Sequence, residues 1–293
     1  MSKLFENIGA VLFNKKEILP ATKERKLLML MGAMYVEETN NSLENIEEVY
    51  GDEFEKNPDI SKWSIEEIED LKYDLMEEFC GLDMQLSGAY KDDAKELLEE
   101  WWNIYDKESA VDMLNWLKNS GHRKYFNEIF ENIDKLIPLT AEKAINFINE
   151  CSAKGIETDG FEDKSIENRT EEELVESDFY QNLLYEIEFT KEVMDDCPKC
   201  KILAWDMARY IHVVRLCYVA KYFEDKECWE LIDKICDICV SSFENWEEFN
   251  ISFLIGRNFW NGYDPEDPIA EICTGLISDN FSPWNYFEWQ KSL

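Results

Sequence analysis

The stretch Lys201–Phe223, KILAWDMARYIHVVRLCYVAKYF, is apolar on almost every side of a helix. A helix that is hydrophobic all round has to be enclosed by other elements. This segment therefore predicts a central rod, and the rest of the chain must supply its cover. Gly and Pro number only 11 and 7 in 293 residues, and alternating β-branched runs are nearly absent, so the cover is helical too. Spacing predicts helices near 22–38, 64–80, 90–103, 107–120, 123–136, 141–151, 171–195, 201–223, 227–243, 246–260 and 266–278. Over 107–120, for example, Ala110, Met113, Leu114 and Leu117 follow the one-face rule of an amphipathic helix. Ser64 with Glu67, and Thr170 with Glu173, read as capping boxes. Asp106, Thr140 and Asn245 read as N-caps, and Gly121 as the residue that ends the helix opened by Asp106.

The expectation is an all-α chain: one multi-helix globular domain over 1–293, of about ten helices, with an acidic surface. Residues 1–89 form an acidic helical N-terminal part. Residues 153–169, with two Gly and many charges, read as a surface loop or linker. A C-terminal aromatic tail, Phe281–Trp289, is expected to pack back on the core.

Thirty Lys and Arg against 64 Asp and Glu leave a net charge of −34 at pH 7. Such a chain is repelled by phosphate backbones, so no nucleic-acid partner is expected. Leu27–Val36 is about the longest apolar run, too short for a membrane span. Met1–Pro20 contains Glu6 and lacks the apolar core of a signal peptide, so a cytoplasmic location is expected. Between Glu37 and Glu78 stand 16 acids and three Lys. They read as a solvated helical face and loop, or as an acidic docking surface that steers a basic protein partner.

Nine cysteines, an odd number without a secretion signal, read as free and mostly buried thiols. Two pairs are spaced C-x-x-C: Cys197 with Cys200, and Cys236 with Cys239. Four thiolates can hold zinc, and such a pair can be a redox dithiol, but the 35 residues between the pairs exceed the usual zinc-ribbon spacing. Inert thiols are the simpler reading, and no cofactor is expected.

The central segment carries Asp206, Arg209, His212 and Arg215 at intervals of three. Buried charges must be paired or hydrogen-bonded. Asp206 and Arg209 can form a buried ion pair, or Arg209 can hold an anion that Asp206 orients. In Asn245–Gly262, Trp246, Phe249, Phe253, Phe259 and Trp260 make an apolar face, Gly256 permits close helix approach, and Glu247 and Arg257 are the polar residues to watch. His122 lies at a helix junction, where a boundary hydrogen bond is the plain reading; His212 reads as a core histidine. The candidate catalytic set is Asp206, Arg209, Glu247 and Arg257, with His122 and Arg123. Phosphate loops, nucleophile elbows and basic patches are absent from the sequence.

Several stretches occur in a fixed order: Trp102-Asn103-Ile104, Leu114-Asn115-Trp116-Leu117, Gly121-His122-Arg123, Ala204-Trp205-Asp206-Met207-Ala208-Arg209, Asn245-Trp246-Glu247-Glu248-Phe249, Gly256-Arg257-Asn258-Phe259-Trp260, and Ser282-Pro283-Trp284 with Trp289. This array, over residues 90–290, resembles the bacterial family catalogued as domain of unknown function 1266. The resemblance implies a bacterial cytoplasmic protein and no assigned activity. It marks Trp205, Asp206, Arg209, Trp246, Glu247, Gly256, Arg257, Trp284 and Trp289 as signature positions. Lys221 and the cysteine pairs depart from the family pattern.

Three functions remain open at this level. The first is a binding or adaptor protein for a basic partner, in one version an immunity-type protein. The second is an enzyme or small-anion binder using the Asp/Arg/Glu/Arg cluster. The third is a zinc-stabilised structural protein.

Overall fold

The computed structural model describes residues 18–83, 91–156, 158, 170–262, 264 and 266–289. Among the described residues all regular secondary structure is helical and there is no strand. Most of the expected helices are present, but three of them are each divided into two. The expected helix over 22–38 is two: α1 (Lys23–Leu30) and α2 (Ala33–Asn40). The joint holds Gly32, where a Cβ would lie 3.2 Å from Ile211 Cγ2 and 3.4 Å from Arg215 Nη1. The glycine lets the backbone come against the Ile211–Arg215 helix, and Met29 O there accepts from Arg215 Nη2 at 3.5 Å.

Next comes α3 (Ser42–Lys56), absent from the sequence reading. Its period was present in Ile46, Tyr50 and Phe54 but diluted by acids. The capping box at Ser64 opens α4 (Ile65–Cys80): Ser64 Oγ accepts from Glu67 N at 3.2 Å, and Glu67 Oε2 accepts from Ser64 N at 2.7 Å. Then follow α5 (Lys91–Trp102), α6 (Lys107–Asn119), α7 (Arg123–Leu136) and α8 (Ala141–Ala153). Asp106 and Thr140 open α6 and α8 as expected, accepting from Ser109 N at 2.9 Å and Lys143 N at 3.3 Å.

The expected helix over 171–195 is also two, α9 (Glu171–Val175) and α10 (Asp178–Val193). The Thr170–Glu173 box opens the first. Ser177 Oγ then accepts from Tyr180 N at 3.4 Å and starts the second. The apolar segment is α11 (Leu203–Val219). The helix expected over 227–243 divides into α12 (Asp225–Asp233) and α13 (Cys236–Ser242). Asn245 opens α14 (Trp246–Asn261), its Oδ1 accepting from Glu248 N at 2.8 Å; α15 (Pro268–Ser278) and the single turn α16 (Pro283–Tyr286) complete the described chain. Most of 153–169 lies outside the described residues.

The chain sorts into two compact units. The larger takes Met1–Lys118, Met207–Asn250 and Glu266–Leu293; the smaller takes Asn119–Asp206 and Ile251–Pro265. Neither is a continuous piece of sequence, and the chain passes from one to the other within α11 and within α14. In the smaller unit α7 buries Tyr125, Phe126, Ile129, Ile133 and Leu136 and packs on α10 and α8. Each such side chain contributes about 1.5–3 kcal/mol relative to exposure. In the larger unit α2 packs on α15, and α1 on α4. No helix among the described residues is long and apolar enough to cross a membrane.

The acidic run corrects one expectation. Of its 16 acids nine are exposed, but Asp74, Glu77 and Glu78 are buried rather than solvated. They meet neutral donors. Tyr50 OH donates to Asp74 Oδ2 at 2.7 Å, and Tyr73 OH donates to Glu77 Oε1 at 2.8 Å. Ser42 Oγ and Asn45 Nδ2 donate to Glu78 Oε1 at 2.9 and 3.0 Å. Nearby, Leu43 N donates to Glu37 Oε2 at 2.8 Å. Burial raises Glu78 above its ordinary value of 4.5, and the charges of Asp74 and Glu77 add to the rise. Glu37 is raised for the same first reason.

A raised folded-state value means that the native chain binds the proton more tightly than the unfolded chain does. Stability from this source is therefore present at pH below 4.5 and is lost as pH climbs through the folded value. Glu78→Gln keeps an acceptor for Ser42 and Asn45 and removes the charge. It is expected to raise the melting temperature at pH 8, with the gain vanishing near pH 4. Thermal melts across that range check this; an equal or lower melting temperature at pH 8 would refute it.

Candidate functional site

Three separated stretches meet in the smaller unit. Gly121, with φ +56°, turns the chain between α6 and α7. His122 is the N-cap residue of α7, but its side chain makes no capping bond. The cap comes instead from α11, 84 residues on: Asp206 Oδ1 accepts from His122 N at 3.0 Å. Asp206 Oδ2 accepts from Arg123 N at 3.2 Å and from Arg123 Nη1 at 2.7 Å. The carboxylate thus satisfies backbone N–H groups that a helix start leaves orphaned, and it sits at the positive end of the helix dipole. Its side chain is fully buried, and that of Arg123 is 15% exposed. A Cβ on Gly121 would lie 2.0 Å from Asp206 Oδ2. Glycine is required there twice over, for its positive φ and for the room.

Trp205, the neighbour of Asp206, locks the same junction. Its Nε1 donates to His122 Nδ1 at 3.3 Å, which leaves the imidazole proton on Nε2. Its ring lies 5.4 Å from Phe253 and 5.9 Å from Trp260; Trp260 in turn stacks on His122 at 6.1 Å and 15°. On α14, Gly256 gives the close approach that the sequence predicts: a Cβ there would come within 2.4 Å of Trp205 Cβ and 3.1 Å of Ile202 Cβ. Ser252 Oγ accepts from Ala204 N at 3.1 Å and donates to Lys201 O at 2.6 Å. The apolar face expected on α14 is not wholly covered, since Trp260 is 44% exposed.

The structure therefore brings together His122, Arg123 and Asp206 of the candidate set, and it brings them together as a helix junction. Arg257 is half-buried on α14 in the same unit. Arg209 and Glu247 belong to the larger unit. The Arg209 guanidinium lies over the Trp102 ring at 5.8 Å. Glu247 is exposed on the rim of a 430 Å³ pocket that Trp246, Trp284 and Trp289 also line. Those tryptophans form one cluster: Trp246 stacks on Trp284 at 4.9 Å and meets Trp289 edge-on at 4.7 Å. Their indoles also tie backbone, Trp246 Nε1 donating to Phe287 O at 2.8 Å and Trp284 Nε1 to Leu30 O at 3.0 Å.

His212 stacks on Tyr35 at 4.4 Å. Burial and the Arg215 charge hold it well below its ordinary value, so it is a neutral core histidine. Arg215 is fully buried; its Nη2 donates to Phe79 O, and burial lowers it to about 10. All nine cysteines are free, and six are buried. Burial pushes Cys197 up to about 11 and raises Cys236, which favours thiols over thiolates. Among the described residues no three His, Cys, Asp or Glu side chains stand together in a metal-holding arrangement. Ser252 is the site residue that sequence reasoning missed. A serine inside an aromatic helix gives no local sign that it bonds to another helix.

The junction predicts a stability phenotype. Asp206→Ala removes the acceptor of two backbone N–H groups and of the Arg123 guanidinium and is expected to cost about 3–5 kcal/mol. Gly256→Ala, which forces Trp205 aside, is expected to cost about 1–3 kcal/mol. Denaturant unfolding measures both, and wild-type midpoints would refute the role given to this junction.

Neither a curated protein nor a solved structure matches the chain. A family model described as protein of unknown function (DUF1266) matches residues 97–289. That span holds the junction at Gly121–Arg123, the Trp205–Arg209 stretch, Gly256 and the tryptophan cluster, and this chain belongs to the DUF1266 family.

Proposed function

We propose that this chain is an acidic cytoplasmic binding or adaptor protein of bacteria that docks a basic protein partner. The observation that carries the reading is the outer face of α3. It exposes Glu44, Glu47, Glu48, Asp52 and Glu55, with Lys56 as its one exposed cation. With a net charge of −34 behind it, this face raises the encounter rate with a basic surface and repels acidic ones. An immunity-type role, in which the chain neutralises a basic toxin or nuclease, is one form of the proposal.

The enzymatic reading is less well supported. It needs Asp206 open to a ligand, and that carboxylate is buried and engaged by His122 and Arg123. The zinc reading draws no support from the two cysteine pairs for the reason given above.

The test is capture of a basic protein by the tagged chain from its own lysate. Washes at about 50 mM and about 500 mM salt change the screening length severalfold. The partner is expected to stay at low salt and leave at high salt. A variant with all five α3 acids changed to Gln is expected to lose it. A partner held equally by that variant at both salts would refute an electrostatic role for α3.

A further inference from the structure

Helix α5 carries two apolar rows that point in different directions. Ala94 and Leu98 are buried, and Trp102 continues that row with its ring 6.5 Å from His212 and under the Arg209 guanidinium. One position earlier in each doublet, Leu97 is 43% exposed and Trp101 is 70% exposed; Tyr105, just past the helix end, is 58% exposed. The doublets Leu97-Leu98 and Trp101-Trp102 are thus divided, one member packing inward and the other facing water. The inner row is what attaches α5 to the larger unit. On the helix itself the outer row is Leu97 and Trp101, four positions and one turn apart, the spacing of a helix face that meets another helix; Tyr105 lies beyond the turn at Asn103, whose φ is +52°.

The outer row has a charged flank. Glu96 and Glu100 are both exposed and stand one position, about 100°, before Leu97 and Trp101, so they form an acidic row along the edge away from the buried row, with Glu100 one turn from Leu97. Asp93 is exposed one turn earlier. Isolated exposed apolar residues are ordinary on protein surfaces; a leucine and a tryptophan one turn apart, with Tyr105 following and carboxylates along one edge, make an interface pattern. Trp and Tyr are the side chains that most often anchor such contacts.

We propose that this face of α5 docks a basic amphipathic helix of a partner protein. The partner's apolar positions seat on Leu97, Trp101 and Tyr105, and its Lys or Arg residues align with Glu96 and Glu100. The inference rests on the reading of the partner as basic, but it assigns a second surface, chemically distinct from α3 because it has an apolar ridge.

The probe is a labelled 14-residue Leu/Lys peptide with leucines on one helical face, read by fluorescence anisotropy against the full-length chain. A peptide of equal charge with Ala for Leu serves as control. The proposal expects the Leu peptide to bind more tightly than the Ala peptide. Leu97→Ser combined with Trp101→Ser should weaken the Leu peptide by at least about tenfold, the loss expected for a central aromatic anchor. Glu96→Gln with Glu100→Gln should flatten the salt dependence. The α3 Gln variant should bind the Leu peptide within about twofold of wild type. Because all these positions are exposed, unchanged circular-dichroism melts are expected. Wild-type affinity in the Leu97/Trp101 variant overturns the proposal, as does equal binding of the two peptides. Loss of binding in the α3 variant alone overturns it while leaving the α3 docking face standing. A chain that is dimeric by light scattering and becomes monomeric on Trp101→Ser also overturns it, since the face would then be filled by a second copy.

Discussion

The carboxylate of Asp206 is the contact on which the smaller unit depends. One side chain on α11 accepts two backbone N–H groups and a guanidinium at the start of α7. A helix end inside a protein needs partners for its orphan N–H groups, and a charged acceptor is stronger than a hydroxyl there. The arrangement works only if the chain before α7 comes very close to α11, which is why Gly121 stands at the turn. It works only if Trp205 has somewhere to go, which is why Gly256 stands opposite. Gly-His-Arg, Trp-Asp and Gly-Arg-Asn-Phe-Trp are far apart in sequence, yet Gly121, His122, Trp205, Asp206, Gly256 and Trp260 form one junction.

The larger unit solves a different problem. Of the chain's 64 acids, α4 turns three inward, Asp74, Glu77 and Glu78. There they accept from Tyr50, Tyr73, Ser42 and Asn45. Ser42 and Asn45 donate to Glu78 without cancelling its charge, and burial raises that group, which makes its ionised form more costly as the pH rises. The stability of the chain is thus tied to pH through its core as well as through its surface.

The outward faces complement this inward economy. The exposed acids of α3 supply long-range attraction that carries no shape information. The ridge on α5 supplies shape and apolar area of the kind that gives a docked complex its lifetime. The two are proposals of different rank, one about encounter and one about recognition, and both leave the Asp206 junction to architecture.

Helical class and most element boundaries were legible in the sequence, because period and caps are local. Ser64 with Glu67, Thr140, Asp106 and Asn245 all act within one helical turn of themselves. Interruptions were less legible. Ser177 restarts a helix inside an acidic apolar run, and Gly32 breaks one against the Ile211–Arg215 helix, so apolar spacing alone joined the pieces. α3 was missed because its apolar positions are outnumbered by acids. In the candidate site the sequence named Gly121, His122, Arg123, Trp205, Asp206 and Gly256, which meet at one junction, and also Arg209, Glu247 and Arg257, but it could not assign their roles. The Asp206–Arg209 spacing suggested a pair along one helix, and nothing in the sequence showed that the fold also brings Arg123 to Asp206. Local chemistry decides where a helix starts. Only the tertiary structure decides whether a carboxylate at helical spacing faces water, a ligand or the end of another helix, because that choice depends on backbone approach between segments about 84 residues apart.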